Sequence, residues 1–254
     1  MILLIDIGNT NINLAVAEKG KIIARWRIAT VRNRTADEYI ALLTQLMSNE
    51  KIKPAKIKDV AVSSVVPQIM MHINKMCQSL FGVSPKAVGQ ELKANLKVKT
   101  DNPGEVGADR IVNAVGVAKM YGTPAIVVDF GTATTFDIVD KFGDYCGGVI
   151  SPGINLSLHA LHEFAARLPS VPVEKTTKVI GTNTKDAMQS GIYWGYVGLI
   201  EGLLERIKNE MDGKPVVVAT GGLAPLFAEG TKAIQHIEAD LTIVGLLEIY
   251  NNQK

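Results

Sequence analysis

The stretch Leu3-Leu4-Ile5-Asp6-Ile7-Gly8-Asn9-Thr10 runs an apolar strand into an Asp-x-Gly turn followed by amide and hydroxyl side chains. Val127-Val128-Asp129-Phe130-Gly131-Thr132-Ala133-Thr134 repeats that order. Asp6 and Asp129, Gly8 and Gly131, and Gly20 and Gly143 are each 123 residues apart, close to half of the 254-residue chain. A constant offset of that size predicts two copies of one unit. Their polar turns are expected to face each other across a cleft, a natural place for the phosphates of a nucleotide.

Outward from the first turn, residues 2–7, 11–17 and 21–30 read as strands separated by Gly8-Asn9 and Lys19-Gly20. Thr35 and Glu38 form a capping-box pattern, and Ile40, Leu43 and Met47 supply the apolar stripe of the helix that follows. A strand is predicted over 59–66, a helix over 68–80 and a short strand over 85–90. A further helix is expected to begin at Asn102 as cap, with Pro103 at its first position and Glu105 three residues past the cap.

The second half repeats the order, with strands near 124–130, 134–140 and 145–150, helices within 154–167 and 184–211, a strand over 215–220 and a terminal helix. Val216 to Gly221 takes the role of Ile57 to Ser64, but at an offset of about 157. Roughly 34 extra residues therefore lie between about 151 and 184, an insertion in the second copy where specificity tends to reside. The expected division is 1–117 for the first lobe and 118–254 for the second.

Bulk properties narrow the function. Forty-seven per cent hydrophobic residues supply cores for two units, and a net charge of +2 sets up no global field toward nucleic acid or an anionic membrane. The basic run from Lys19 to Arg34 alternates Arg25, Arg27, Arg32 and Arg34 with Ala24, Trp26 and Ile28, the pattern of a half-exposed strand. Cys77 and Cys146 fit neither a disulfide scaffold nor a metal motif, which points to a reducing cytoplasm. The opening residues do not read as a signal peptide, and no apolar run approaches the roughly 18 residues that a membrane span needs.

An ionised carboxylate at the end of an apolar strand is costly unless a cation or a hydrogen-bond donor meets it. For Asp6 a hydrated magnesium ion riding on ATP would serve. Gly8 admits a phosphate oxygen to the backbone, and Asn9, Thr10, Asn11 and Asn13 add donors. Thr132 offers a hydroxyl from the second turn, while Thr220-Gly221-Gly222 permits close approach of a flat ligand such as adenine. Neither G-x-x-x-x-G-K-[ST] nor G-x-G-x-x-G occurs, so P-loop and Rossmann readings lose their main support.

These turns, together with Asn102-Pro103 through Gly107-Ala108-Asp109-Arg110, Gly147-Gly148-Val149-Ile150-Ser151-Pro152-Gly153 and Gly181-Thr182-Asn183-Thr184, make the chain resemble the type III pantothenate kinases over nearly its whole length. The resemblance implies an α/β fold of two duplicated ribonuclease H-like lobes, shared with actin-like ATPases and acetate and sugar kinases. It implies phosphorylation of the pantothenate primary hydroxyl by ATP with Mg2+, the first step toward coenzyme A. By that resemblance Asp6, Ile7, Gly8, Asn9, Thr10, Asn11, Ile12, Asn13 and Thr132 bind ATP, and Asp129 helps to hold a monovalent cation, K+ or NH4+. Gly107, Ala108, Asp109, Arg110 and Thr184 bind pantothenate, with Asp109 as general base. The family often has Tyr where this chain has Thr100, and its members form homodimers with the pantothenate pocket at the subunit interface.

On the helix alone, Asp109 and Arg110 read as a solvated surface pair, and the motif is what gives them a role. Asp109 is expected in the second turn of the helix begun at Asn102. His159 and His162 lack a convergent partner and read as packing or interface residues, and Tyr193, Trp194 and Tyr196 as core or dimer packing. A competing reading is a nucleotide-binding regulator or accessory protein that kept the fold and lost turnover.

Overall fold

The computed structural model describes residues 1–165 and 168–253. In chain order the elements are β1 (Ile2–Ile7), β2 (Asn11–Glu18), β3 (Lys21–Ala29), α1 (Ala36–Asn49), β4 (Asp59–Ser64), α2 (Met70–Phe81), β5 (Lys86–Ala87), α3 (Ala108–Tyr121) and β6 (Ala125–Phe130). They continue with β7 (Ala133–Val139), β8 (Tyr145–Pro152), α4 (Ile154–Phe164), α5 (Thr184–Glu210), β9 (Val216–Gly221), α6 (Ala224–Ala228), β10 (His236–Ile237) and α7 (Leu241–Asn251). Residues 166 and 167, the end of the helix expected over 154–167, lie outside the described residues.

Two five-stranded mixed sheets have the same strand order, β3-β2-β1-β4-β5 and β8-β7-β6-β9-β10. In each, the first three strands are an antiparallel meander and the last two are parallel additions. Ile2 pairs with Asp59 and Ala125 with Val216, so the offset of 123 on the first strand becomes 157 on the fourth. The duplication read from the turns is therefore a duplication of sheet topology.

Contacts group the residues into two compact units, one of Met1–Leu96, Asp101–Lys119 and Leu241–Lys254, the other of Lys97–Thr100 and Met120–Asp240. Chain order put the terminal helix in the second half; packing puts α7 in the first unit. The reason is apolar burial: Ile243, Leu246, Leu247 and Ile249 of α7 cluster with Ile2 and Leu4 of β1, and burying one such side chain contributes about 1.5–3 kcal/mol.

In the first unit β1 is buried along its whole length. Successive side chains leave a strand on opposite faces. Leu3, Ile5 and Ile7 therefore pack with Tyr39, Leu43 and Met47 of α1 and Ile73, Met76 and Cys77 of α2, while Ile2 and Leu4 meet Val112 of α3 and the apolar face of α7. Thr35 caps α1 as expected, its hydroxyl accepting from the Glu38 N–H and the Glu38 carboxylate accepting from the Thr35 N–H.

The helix expected from Asn102 is broken. Pro103–Glu105 forms a single 3-10 turn with no side-chain cap from Asn102, Val106 is extended (φ −72°, ψ 123°), and α3 starts at Ala108. Pro103 and Gly104 are poor helix residues, and the chain re-enters helix geometry when Arg110 and Ile111 N–H donate to the Gly107 carbonyl. Asp109 thus lies in the first turn of its helix.

α3 and α7 approach through two glycines. A Cβ on Gly116 would lie 2.5 Å from the Leu241 carbonyl oxygen, and one on Gly245 would lie 2.0 Å from that of Val112. Backbone atoms of packed helices cannot yield as a side-chain tip can. Gly245→Ala is expected to cost about 1–3 kcal/mol, read as a lower urea midpoint at unchanged slope. A midpoint equal to that of the parent would mean that the two helices are free to separate.

The second unit is built around α5. Tyr193, Tyr196, Val197, Ile200 and Leu204 pack against Ile126, Val128 and Phe130 of β6 and Phe227 of α6. The Phe227 ring stacks on Phe130 and Tyr193 at centroid distances of 5.4 and 5.5 Å. Tyr193 and Tyr196 are thereby core residues.

Candidate active site

Alternation along β1 sends Asp6 to the face of Ile2 and Leu4, the side covered by α3 and α7. It is 7% exposed. Its lateral neighbours are Asn13 on β2 and Ser63 on β4. Asn13 Nδ2 donates to Asp6 Oδ2 at 3.2 Å, and the buried Ser63 hydroxyl lies beside the same carboxylate. Burial pushes the Asp6 carboxyl up to about 6 and the Asp109 charge adds to the rise, while Asn13 and Ser63 oppose it.

Asp109 reaches that neighbourhood because of helix periodicity. Val112, three residues on, faces the sheet and places Asp109 on the same side of α3. Its Oδ1 accepts the Arg110 N–H at 2.8 Å, a donor it shares with the Gly107 carbonyl, and a carboxylate suits the first turn of a helix. Burial holds the carboxyl above the ordinary carboxylate range, offset in part by that bond and by the Arg110 guanidinium. Gly107 makes room: a Cβ there would lie 2.5 Å from Asp109 Oδ1. The first unit therefore gathers Asp6, Asn13, Gly107, Asp109 and Arg110, and the pair is no solvated surface ion pair.

In the turn itself the Gly8 N–H donates to the Asn11 carbonyl at 3.0 Å, and Asn9, Thr10 and Asn11 are exposed. Ile7 and Ile12 are buried in the core, so any ligand contact they make is through the main chain.

The second unit repeats the arrangement with a turn one residue shorter, the Gly131 N–H donating to Ala133 at 3.0 Å. Gly153, the last residue of the Gly147-to-Gly153 motif, backs that turn. Its N–H donates to the Thr132 carbonyl at 3.1 Å, and a Cβ would stand 2.1 Å from that oxygen. Asp129 is half-buried between Thr135 on β7 and Thr220 on β9, as Asp6 is between Asn13 and Ser63. A carboxylate flanked by two hydroxyls is an all-oxygen donor set that fits a hard cation such as K+. Gly221 adopts φ +92° and approaches Phe130 so closely that a Cβ would lie 2.5 Å from its carbonyl oxygen, while Gly222 is exposed at the start of the turn into α6. Among the described residues no three His, Cys, Asp or Glu side chains converge as a metal site, His159 and His162 included.

Thr100 and Thr184 also belong to the second unit. Residues 97–99 pair with Tyr145, the Lys99 N–H donating to its carbonyl at 2.7 Å and its N–H donating to Lys97 at 2.9 Å. This holds Thr100 beside Gly147 with its hydroxyl buried and without a hydrogen-bond partner among the described residues. Thr184 is the first residue of α5, capped by Asn183, whose side-chain oxygen accepts the Asp186 N–H at 3.0 Å. Sequence reasoning missed Gly153, Gly116 and Gly245 as packing glycines, and nothing local to those positions signals a contact made far along the chain.

Two sheets of one strand order, each with an Asp-x-Gly turn after its first strand, define a duplicated α/β protein of the ribonuclease H-like class. A sequence model described as type III pantothenate kinase matches residues 2–206. The chain is similar to the type III pantothenate kinase of Paramagnetospirillum magneticum, 53% identical over 251 residues covering 98% of this chain and 96% of that protein. It is also similar to that of Bacillus cytotoxicus, 47% identical over 250 residues covering 98% and 95%. In fold it is similar to the activator of 2-hydroxyisocaproyl-CoA dehydratase from Clostridium difficile with bound ADPNP, at a TM-score of 0.55 and 14% identity over 99% of this chain and 96% of that one. The chain belongs to the type III pantothenate kinase family.

Proposed function

We propose that this chain transfers the γ-phosphoryl group of ATP to the primary hydroxyl of pantothenate, yielding 4'-phosphopantothenate and ADP, with Asp109 as the general base. The observation that carries the reading is that Asp109 lies on the face of α3 that covers β1, the face to which Asp6 projects, close enough for the charge of one to raise the carboxyl of the other. Phosphoryl transfer asks for alignment and charge neutralisation more than covalent help. The hydroxyl oxygen attacks phosphorus as its proton passes to Asp109. The bond from phosphorus to the β,γ-bridging oxygen breaks, and ADP leaves with the electron pair. A carboxyl raised by burial is a better base than an ordinary one.

In this reading Asp6 to Asn13 and Thr132 serve the nucleotide, and Gly221 and Gly222 admit its base. Asp6 would meet the magnesium carried by ATP. Asp129, flanked by Thr135 and Thr220, would hold the monovalent cation, which when bound would supply positive charge to the reaction. Gly107 to Arg110, Thr100 and Thr184 bind pantothenate, supported by the buried, unshared Thr100 hydroxyl. Each lobe corresponds to one copy of the sheet unit, the first including α7 as well, with the insertion near 151–184 in the second. The chain acts as a homodimer: Ile150, Phe164 and Ile180, on and beside that insertion, are 64%, 88% and 82% exposed, an apolar set that a second copy would cover. Free Cys77 and Cys146 suit a cytoplasmic enzyme. No described helix is long and apolar enough to cross a membrane.

The test is ADP release against added pantothenate, repeated with sodium in place of potassium. Pantothenate-dependent ADP is expected, with lower turnover in sodium. ADP formation indifferent to pantothenate would overturn the substrate, and indifference to the ion would remove the cation role.

A further inference from the structure

The basic run that follows the first turn has a use beyond its place on an edge strand. β3 is antiparallel to β2 and sets Arg27 opposite Asn13 and Ala29 opposite Asn11. Two bonds reach back from Thr30, just past its end, to the turn between β1 and β2, and a third joins Arg27 to Asn13 of β2. The Thr30 hydroxyl donates to the Gly8 carbonyl at 2.7 Å, and the Thr30 N–H donates to the Thr10 carbonyl at 2.9 Å. Arg27 Nε donates to Asn13 Oδ1 at 3.1 Å, while Asn13 Nδ2 donates to Asp6. Arg34 Nη1 donates to the Ala29 carbonyl at 3.1 Å and steadies the same end.

Peptide planarity makes these bonds directional. Carbonyl and N–H of one trans peptide point opposite ways. Drawing the Gly8 and Thr10 carbonyls toward Thr30 turns the Asn9 and Asn11 N–H groups to the other side of the turn. Arg27 likewise decides the Asn13 amide: a guanidinium only donates and a carboxylate only accepts, so Asn13 must present oxygen to Arg27 and nitrogen to Asp6. Without Arg27 the amide oxygen loses its donor, and Asn13 is held at its Asp6 end alone.

We infer that Thr30 and Arg27 are positioning residues for the nucleotide, a clasp at the end of β3 that holds the turn's N–H groups and the Asn13 amide in their binding orientation before ATP arrives. The inference rests on the reading of Asp6 to Asn13 as the nucleotide turn. A turn of exposed Asn and Thr residues left unclasped would have to be ordered on binding, at a cost in affinity that a preorganised turn avoids. Neither residue is itself in the machinery that touches the reacting atoms. Their removal should weaken ATP and leave pantothenate unaffected.

The experiment measures the ATP Kd by calorimetry and both KM values for Thr30→Val, Thr30→Ser, Arg27→Met and Asp6→Asn, with Tm alongside. Thr30→Val keeps shape and the backbone bond but loses the hydroxyl, and should weaken ATP roughly five- to tenfold, the loss expected for one hydrogen bond. Thr30→Ser should restore affinity to within about twofold. Arg27 is exposed, so Arg27→Met should fold normally and weaken ATP by a similar factor; in an Asn13→Ala background it should add nothing, because it acts through that amide. A drop in Tm with both KM values rising together, or no rescue by Ser, would overturn the clasp in favour of a structural role, and additive effects of Arg27→Met and Asn13→Ala would overturn the relay. Asp6→Asn separates the two levels. If it leaves ATP affinity intact, the nucleotide reading of the turn fails; if it abolishes ATP binding while Thr30→Val and Arg27→Met match the parent, only the clasp fails.

Discussion

Asp109→Asn is expected to lower kcat by about a hundredfold or more while changing ATP affinity and Tm little, the signature of a lost general base. The side chain is half-buried at the first turn of α3, where the Asn oxygen can still accept the Arg110 N–H that Asp109 Oδ1 accepts at 2.8 Å. What disappears is the capacity to take a proton. Burial raises the Asp109 carboxyl, so the parent enzyme should lose kcat/KM on the acid side above the ordinary carboxylate range, and the variant should lack that limb. Turnover within a few-fold of the parent would remove Asp109 from the chemistry.

The second large effect runs opposite ways in stability and function. A carboxyl raised in the folded state, here from 3.8 to about 6, favours folding while protonated, and that contribution is lost as pH climbs from about 4 through about 6. At neutral pH the ionised Asp6 therefore costs the fold up to about 3 kcal/mol, the equivalent of about two pKa units. Asp6→Asn keeps the shape, and its new N–H group has the Ser63 hydroxyl oxygen beside it as an acceptor. The variant should be more stable than the parent at pH 7, with the gap closing toward pH 4, and should fail to bind ATP with magnesium. Urea midpoints across that range decide it, and a variant less stable than the parent at pH 7 would refute the strain. A site kept at a cost to stability is the usual mark of a residue retained for function.

Much of the scaffold was legible because short-range signals agreed with one another. The matched turns at Gly8 and Gly131, the apolar run of β1 and the capping box at Thr35 each involve residues within a few positions, and all appear where composition and turn chemistry put them. The break at Val106 was not legible, since Asn102-Pro103 and Glu105 imitate a helix start and the chain yields instead to a fresh start at Gly107. The place of α7 was also out of reach. Its apolar residues show that it is buried but not against which sheet, and its glycine contact with α3 joins Gly245 to Val112.

The amino-acid sequence by itself determined that this protein is a doubled strand-and-turn unit with an acidic residue at the end of each first strand, because a repeat and a period of two are properties of neighbours in the chain. Only the tertiary structure decided that Asp109 comes near enough to Asp6 for its charge to be felt there, that Gly153 braces the Thr132 turn and that Thr30 grips Gly8. Such pairings depend on which faces pack and how closely helices cross, and the free energy of burial that selects them is summed over the whole core.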